Sequence, residues 1–523
     1  MAFGLLLIAL GVALLKPATG LPGLAWAALG LAAIPWIQWA GGLLAFSGDA
    51  WISNLYLFGL AVAIAAGHRW GRLDARAFAA TLSFAFLAAA LLSSLIALTQ
   101  VLEVWPLGMW TVEVMEGMRP GANLAQSNNL ATLLGFGALG LLLLREQDRI
   151  GRLPAGALFA VLIAGLCVSQ SRVSLLFGPL ICLGVWLAAR RGVRFQTRLR
   201  SIGIAAAASW LLLWAEPLFL RTGQILAGQS VAGRGVQSLR FEVWPILLDG
   251  LSMHPWRGYG WLQVGAAELA AADRHPPVGE LWLQGHNLFI ELVVWCGYPL
   301  GLLLAAAIVY WFVSRALRVA SIEGVIGMLI VAIAGAHSMT EFPYQYAYFL
   351  LPLGLWMGLV EASIGSRAIL SHKWYLATML ASIALLVAIC RDYGAVEEDF
   401  RLVRFENLRV GSIHASQPAP DAPFLSSLTA FLRVSRMTPH RGMTSAELDS
   451  MRDVVHRYPY AAGMSNYASA LALNGRPEEA KEMFTKILHI HGRTMYAGVK
   501  GNLHEAALDG APELRALENS IPP

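Results

Sequence analysis

A histidine and an asparagine, His286 and Asn287, stand at the mouth of a strongly apolar run in LWLQGHNLFIELVVWCGYPLG, residues 281–301. An imidazole at such a boundary has two readings. It caps a helix, or it accepts a proton from a hydroxyl at a membrane surface. Arg172 lies in VSQSRVSLLFG, between two apolar blocks. Its guanidinium either snorkels to lipid phosphates or clamps a bound anion, for which its planar fork of donors is suited. Arg240 belongs to GRGVQSLRFEVWPILLDGLSMHPWRGYGW, with Arg234 and Arg257. The spacing of Leu239, Val243, Ile246 and Leu247 predicts an amphipathic helix over 237–250 that carries Arg240 and Glu242.

Two further segments add polar groups. HSMTEFPYQYAYFLLP, 337–352, concentrates His337, Glu341, Tyr344, Tyr346 and Tyr348. Tyrosines suit a membrane interface, but a glutamate in such apolar company needs a partner or a task. RPGANLAQSNNLATLLG, 119–135, sets Gln126, Asn128 and Asn129 ahead of an apolar helix, and capping accounts for one of the three. The sequence has no nucleotide-binding loop, paired-carboxylate metal motif or nucleophile elbow. The inventory suits a reaction that compensates a diphosphate leaving group with fixed cations. Arg172 and Arg240 would take the negative charge, and His286 the proton of an attacking hydroxyl, with no metal and no cofactor.

Membrane helices must position these groups. Of 523 residues, 57% are hydrophobic and 14% charged, and the apolar ones arrive in blocks. Blocks at about 2–15, 21–46, 51–67, 78–101, 129–144, 154–169, 173–189, 201–215, 299–314, 323–339, 345–362 and 374–390 predict an all-α polytopic bundle of about 11–12 spans. Five basic loops, GHRWGRLDAR, REQDRIGR, ARRGVRFQTRLR, SRALR and GSRAILSHK, fall at every second connection and mark the cytoplasmic side. Connections 102–128, 216–298 and 337–344 then face outward, as do both termini. An outward N-terminus with no preceding helix predicts an earlier segment upstream of the start. Trp residues near block ends suit an interfacial belt. The four cysteines show no CxxC and read as small buried apolar residues.

From Arg391 the character changes: residues 391–523 carry 15 Lys/Arg, 16 Asp/Glu and six of the 12 histidines, with no spanning run. This predicts a second, soluble helical domain after a membrane domain of residues 1–390, with 410–425 as a linker. YASALALNGRPEEAKEMFTKILHIHG reads as a tetratricopeptide-like hairpin, with partner helices expected at 444–457 and 502–518. The balanced charge gives no sign of nucleic-acid binding.

Taken in order, RPGANLAQSNNLATLL, SQSRVSLL, SLRFEVWPILLDGLSMHPWRGYGW, GHNLFIEL and HSMTEFPYQYAYFLLPLGLWMGL resemble bacterial O-oligosaccharyltransferases of the PglL/PilO type, relatives of the O-antigen ligases (WaaL) and polymerases (Wzy). The resemblance covers about residues 20–365. It implies a GT-C-like membrane fold in the bacterial inner membrane, with an undecaprenyl-diphosphate-linked glycan as donor. It also implies en bloc transfer to an acceptor hydroxyl in the periplasm, without metal or nucleotide sugar. By motif, the family's essential histidine falls on His286 and its diphosphate-contacting arginines on Arg172 and Arg240. Arg234, Asn287, His337, Glu341, Tyr344, Gln126 and Asn128 are candidates for supporting or acceptor-side positions. Where the family has Gln-Pro-Asn-His, this chain reads Gln126-Ser127-Asn128-Asn129, so no role carries over to position 129.

The acceptor expected is a Ser or Thr of a periplasmic or pilin-like protein. The alternatives are a lipid A-core sugar, as for a ligase, or another lipid-linked glycan, as for a polymerase. A lipid-linked sugar transporter would show inverted repeats, which are not evident. A membrane-anchored scaffold would need none of Arg172, Arg240 and His286. The loop-charge parity has a direct check in a reporter fused after Pro523. Alkaline phosphatase there is expected to be active, and a fluorescent protein that matures only in the cytoplasm to stay dark; the reverse pattern overturns the orientation.

Overall fold

Backbone polar groups inside a bilayer must be satisfied within their own segment, so apolar blocks of this length fold as helices. The computed structural model describes residues 20–102, 119–219, 239–367, 372–407, 418–508 and 511–522, and among them helices are the only regular elements. The expected block at 2–15, Arg234 and residues 410–417 of the expected linker lie outside the described residues.

In chain order the helices are α1 Gly23–Leu31, α2 Ala33–Ala40, α3 Ser47–Leu102, α4 Ser127–Glu146, α5 Arg152–Ser169 and α6 Phe177–Arg190. There follow α7 Leu199–Phe219, α8 Arg240–Met253, α9 Val264–Ala271, α10 Leu288–Ala316, α11 Ile322–Ser338 and α12 Ala347–Ser363. The last are α13 His372–Asn407, α14 Ser426–Ser435, α15 Ser445–Arg457, α16 Ala461–Leu473, α17 Pro477–Leu508 and α18 Pro512–Ser520. Among the described residues, seven helical segments are long and apolar enough to cross a membrane, and three shorter apolar helices accompany them. The chain is a membrane protein.

Two boundaries differ from expectation. GHRWGRLDAR is not a separate loop. α3 runs through it and breaks only at Asp74 (φ −157°, ψ 87°), whose carboxylate accepts from the Ala77 N–H at 2.9 Å and so caps the second half. The apolar segment after His286 starts as helix at Leu288, not at 299, and breaks at Gly297 (φ 75°, ψ 169°). A crossing loop causes that break. The N–H groups of Tyr259 and Gly260 donate to the carbonyls of Val294 (2.8 Å) and Trp295 (3.1 Å), and Tyr298 N–H donates to Pro255 O (2.8 Å). A Cβ on Gly297 would lie 2.5 Å from Trp256 backbone, so close approach as well as positive φ requires glycine. The cysteine reading also needs correction: Cys296 is buried, Cys167 and Cys182 are half-buried, and Cys390 is exposed.

The chain forms two compact units. The first comprises residues 1–29, 58–237 and 307–379. Its helices meet through small residues: a Cβ on Gly67 of α3 would lie 2.1 Å from Leu355 O, and one on Gly358 of α12 2.1 Å from Ile64 O. Glu361, 2% exposed, is matched by Arg315 Nε and Trp311 Nε1, each at 2.8 Å.

The second unit comprises residues 30–57, 238–306 and 380–523. Thr444 and Glu447 cap α15 reciprocally, and Gly475 (φ 80°) turns α16 into α17. Met451, Met464, Phe484 and Ile487 of these helices share one core with Leu269 and Ala272. Asp49, 1% exposed at the start of α3, binds Arg457 Nε at 3.0 Å and Gln263 Nε2 at 3.1 Å. Removing one partner of a buried ion pair leaves the other charged and desolvated. Asp49→Asn is expected to destabilise this unit by about 3–5 kcal/mol. Thermal unfolding of the purified protein measures it; an unchanged midpoint would show that the pair contributes nothing.

Candidate functional site

Polar side chains gather at one end of α4 in the first unit. Gln126 precedes α4 without capping it through its side chain. Its Nε2 donates to Glu341 Oε2 at 3.3 Å, and Asn128 Nδ2 donates to Glu341 Oε1 at 2.8 Å. Asn128 Oδ1 accepts from the Ser171 hydroxyl at 2.7 Å, and Asn129 Nδ2 donates to the Tyr348 hydroxyl at 2.9 Å. One turn deeper, the Thr132 hydroxyl meets His337 Nδ1 at 2.8 Å. Both His337 and Glu341 are buried. The expectation that one amide caps the helix is therefore corrected: all three reach across to 341–348 or 171. Arg172 follows Ser171 directly, half-buried, and opens a 3₁₀ turn, Arg172–Leu176, behind the left-handed Gln170 (φ 49°). Tyr344 sits in the 3₁₀ turn Pro343–Gln345, beside Glu341 in the chain.

The second unit holds Arg240, His286 and Asn287. Two carboxylates grip the loop that carries the histidine. Trp282 N–H donates to Glu268 Oε2 of α9 and Gly285 N–H to Glu291 Oε1 of α10, each at 2.8 Å. Trp244 Nε1 donates to Gly285 O at 2.8 Å. Arg240, four residues before Trp244, lies on the same face of α8. The Trp282 ring centroid is 4.4 Å from that of His286. Asn287 performs the cap: its Oδ1 accepts from the N–H groups of Phe289 (3.0 Å) and Ile290 (3.2 Å). His286 precedes the cap with φ 50°. The helix expected over 237–250 spans Arg240–Met253; Val243, Ile246, Leu247 and Leu251 are buried, whereas Leu239 is 40% exposed.

Glu268 and Trp244 escaped the sequence reading, in which Trp282 figures only among the tryptophans near block ends and Glu291 only as a charge within the apolar run. A single carboxylate among the alanines of VGAAELAA was the available sign that Glu268 is buried. Its burial pushes the carboxyl up to about 8, even though the Trp282 N–H works in the other direction. Among the described residues, no three His, Cys, Asp or Glu side chains converge as a metal site.

These features define a multi-helix membrane protein with a constrained histidine loop and a buried amide–carboxylate cluster. Residues 157–305 match the family described as O-Antigen ligase, and residues 325–500 the C-terminal region of virulence factor membrane-bound polymerases. A general O-oligosaccharyltransferase of Acinetobacter baylyi is 30% identical over 504 residues, which cover 90% of this chain and 84% of the relative. A ComP-specific O-oligosaccharyltransferase of the same organism is 27% identical over 286 residues, 54% of this chain and 50% of that relative. No solved structure matches. The chain belongs to the bacterial O-oligosaccharyltransferase family and is a glycosyltransferase.

Glu268 yields a pH dependence whose sign is fixed. A carboxyl raised from 4.5 to about 8 holds its proton in the folded state over a range where the unfolded chain has lost it. Its contribution is complete below about 4.5 and lost as pH rises through about 8. The melting temperature is expected to fall between about pH 4.5 and 8, and Glu268→Gln, which cannot ionise, to flatten that fall. An equal slope in the variant would remove Glu268 as its source.

Proposed function

We propose that this chain is a protein O-oligosaccharyltransferase. It moves a glycan en bloc from an undecaprenyl-diphosphate-linked donor to a Ser or Thr hydroxyl of a periplasmic or pilin-like protein. His286 accepts the hydroxyl proton as the oxygen attacks the anomeric carbon. The bond from that carbon to the diphosphate breaks, and the leaving diphosphate draws charge compensation from Arg172 and Arg240. Asn287 fixes the helix behind the base, while Arg234, Gln126, Asn128, His337, Glu341 and Tyr344 serve in supporting or acceptor-side positions. No metal takes part.

The protein lies in the bacterial inner membrane with catalytic face and C-terminal helices toward the periplasm. Residues 1–390 form the transferase domain, including the periplasmic loop 216–298. Residues 391–523 form a soluble, tetratricopeptide-like domain that helps present the acceptor protein. The observation that carries the reading is the backbone of His286. A non-glycine residue at φ 50°, in a loop held by two buried glutamates, with its neighbour doing the capping, supports a role for His286 other than ending a helix. The relatives' names supply the reaction class and the protein acceptor.

The O-antigen ligase match over 157–305 favours a second reading, with lipid A-core as acceptor. Expression in a strain that makes lipid-linked glycan separates the two: glycan on protein supports the first, glycan only on lipopolysaccharide the second. His286→Ala is expected to lower transfer by at least about 10²-fold while donor retention persists. Transfer at the wild-type rate would end the base assignment. Arg172→Lys or Arg240→Lys is expected to impair transfer because an ammonium loses the bidentate fork, and EDTA to have no effect. Strict dependence on a divalent ion would replace the arginine clamp.

A further inference from the structure

Helices α4, α5, α6 and α7, all of the first unit, enclose a cleft of about 700 Å³. Along α5 it runs from Arg152 to Leu166. At about 1.5 Å per residue that is roughly 21 Å, more than one leaflet of a ~30 Å apolar core. Ala138, Gly156, Phe159, Phe177, Ala206 and Trp210 line its apolar part. Trp210 is fixed there by its Nε1 bond to Leu175 O at 2.8 Å.

The other end of the cleft is basic. Arg145 stands at the end of α4, Arg152 at the start of α5, and Arg198 and Arg200 at the start of α7. Among the described residues no Asp or Glu lines the cleft. The nearby acids are already engaged. Asp148 takes Arg145 at 3.2 Å and Gln196 Nε2 at 2.8 Å, and Glu146 accepts the backbone N–H groups of Gln196 and Thr197. Arg152, Arg198 and Arg200 are exposed at the mouth.

An occupant must put a hydrocarbon chain into the slot and negative charge at its mouth. A zwitterionic lipid would bring an ammonium against four guanidinium groups; inorganic phosphate would leave the slot empty. We propose that this cleft binds one anionic phospholipid from the bilayer. Arg152, Arg198 and Arg200 hold its phosphate, and its acyl chains lie against Phe159, Phe177 and Trp210. The donor diphosphate is assigned elsewhere, to Arg172 and Arg240, so this site stands apart from the transfer reaction.

Native mass spectrometry of the full-length protein, delipidated and then supplied with phosphatidylglycerol, phosphatidylcholine or undecaprenyl phosphate, tests this without any glycan transfer. One phosphatidylglycerol per chain is expected to persist at activation energies that strip phosphatidylcholine. Combining Arg152→Gln, Arg198→Gln and Arg200→Gln is expected to weaken retention about a hundredfold, roughly fivefold per arginine. Gly156→Phe keeps the arginines and blocks the slot. A Cβ there meets no atom within 4 Å, and loss of a helix-interior glycine favours the helix, so the fold should tolerate it. It is expected to lower retention as well. Equal retention of the two phospholipids, indifference to both variants, or displacement by equimolar undecaprenyl phosphate would overturn the proposal.

Discussion

A carboxylate taken out of water must be given donors, and this chain buries several. Glu341 receives the amides of Gln126 and Asn128 from more than 200 positions away in the chain. Glu361 receives Arg315 and Trp311, and Asp49 receives Gln263 and, from 408 positions away, Arg457. Glu268 and Glu291 are met by backbone N–H groups of the histidine loop. In an interior of alanine, leucine and glycine, few directional forces fix one helix against another. These hydrogen bonds, charge-assisted wherever the carboxyl is ionised, supply them. Each joins segments that apolar packing alone would leave free to slide.

The histidine loop shows how local conformation follows from that demand. Glu291 draws in the Gly285 N–H, Glu268 draws in the Trp282 N–H, and Trp244 fastens the Gly285 carbonyl. Between those anchors and the Asn287 cap the chain has little freedom, and His286 takes a left-handed conformation. Behind it, α10 cannot continue straight. The strand of backbone at 255–260 crosses at Gly297 and takes carbonyls that the helix would otherwise use. Gln38 completes the brace: its Nε2 donates to Trp295 O at 2.8 Å and its Oε1 accepts from Trp261 N–H at 2.9 Å. The result is a short, fully packed helical segment behind the histidine.

The membrane character and the helical class were legible in the sequence, because apolar run length is a one-dimensional property. The polar groups beside apolar blocks were visible too: Gln126, Asn128, His337 and Glu341, which gather in the first unit, and Arg172, Arg240 and His286. Helix ends were less legible. Hydropathy cannot distinguish a spanning helix from the buried segment 288–296, and it reads the basic stretch before Asp74 as a loop although it is helical.

Tertiary structure alone decided the pairings. That three amides beside α4 reach across to other segments, that Asn287 and not His286 caps its helix, and that Glu268 is buried in α9 are facts about which distant segments meet. So is the grouping of residues 30–57 and 238–306 with the C-terminal helices in one unit. The sequence determined which groups had to be satisfied, since a polar atom in an apolar setting carries that requirement wherever it goes. Which partner satisfied each one depended on helix crossings and chain breaks, set by close approach at positions such as Gly67, Gly297 and Gly358 and invisible in a linear pattern.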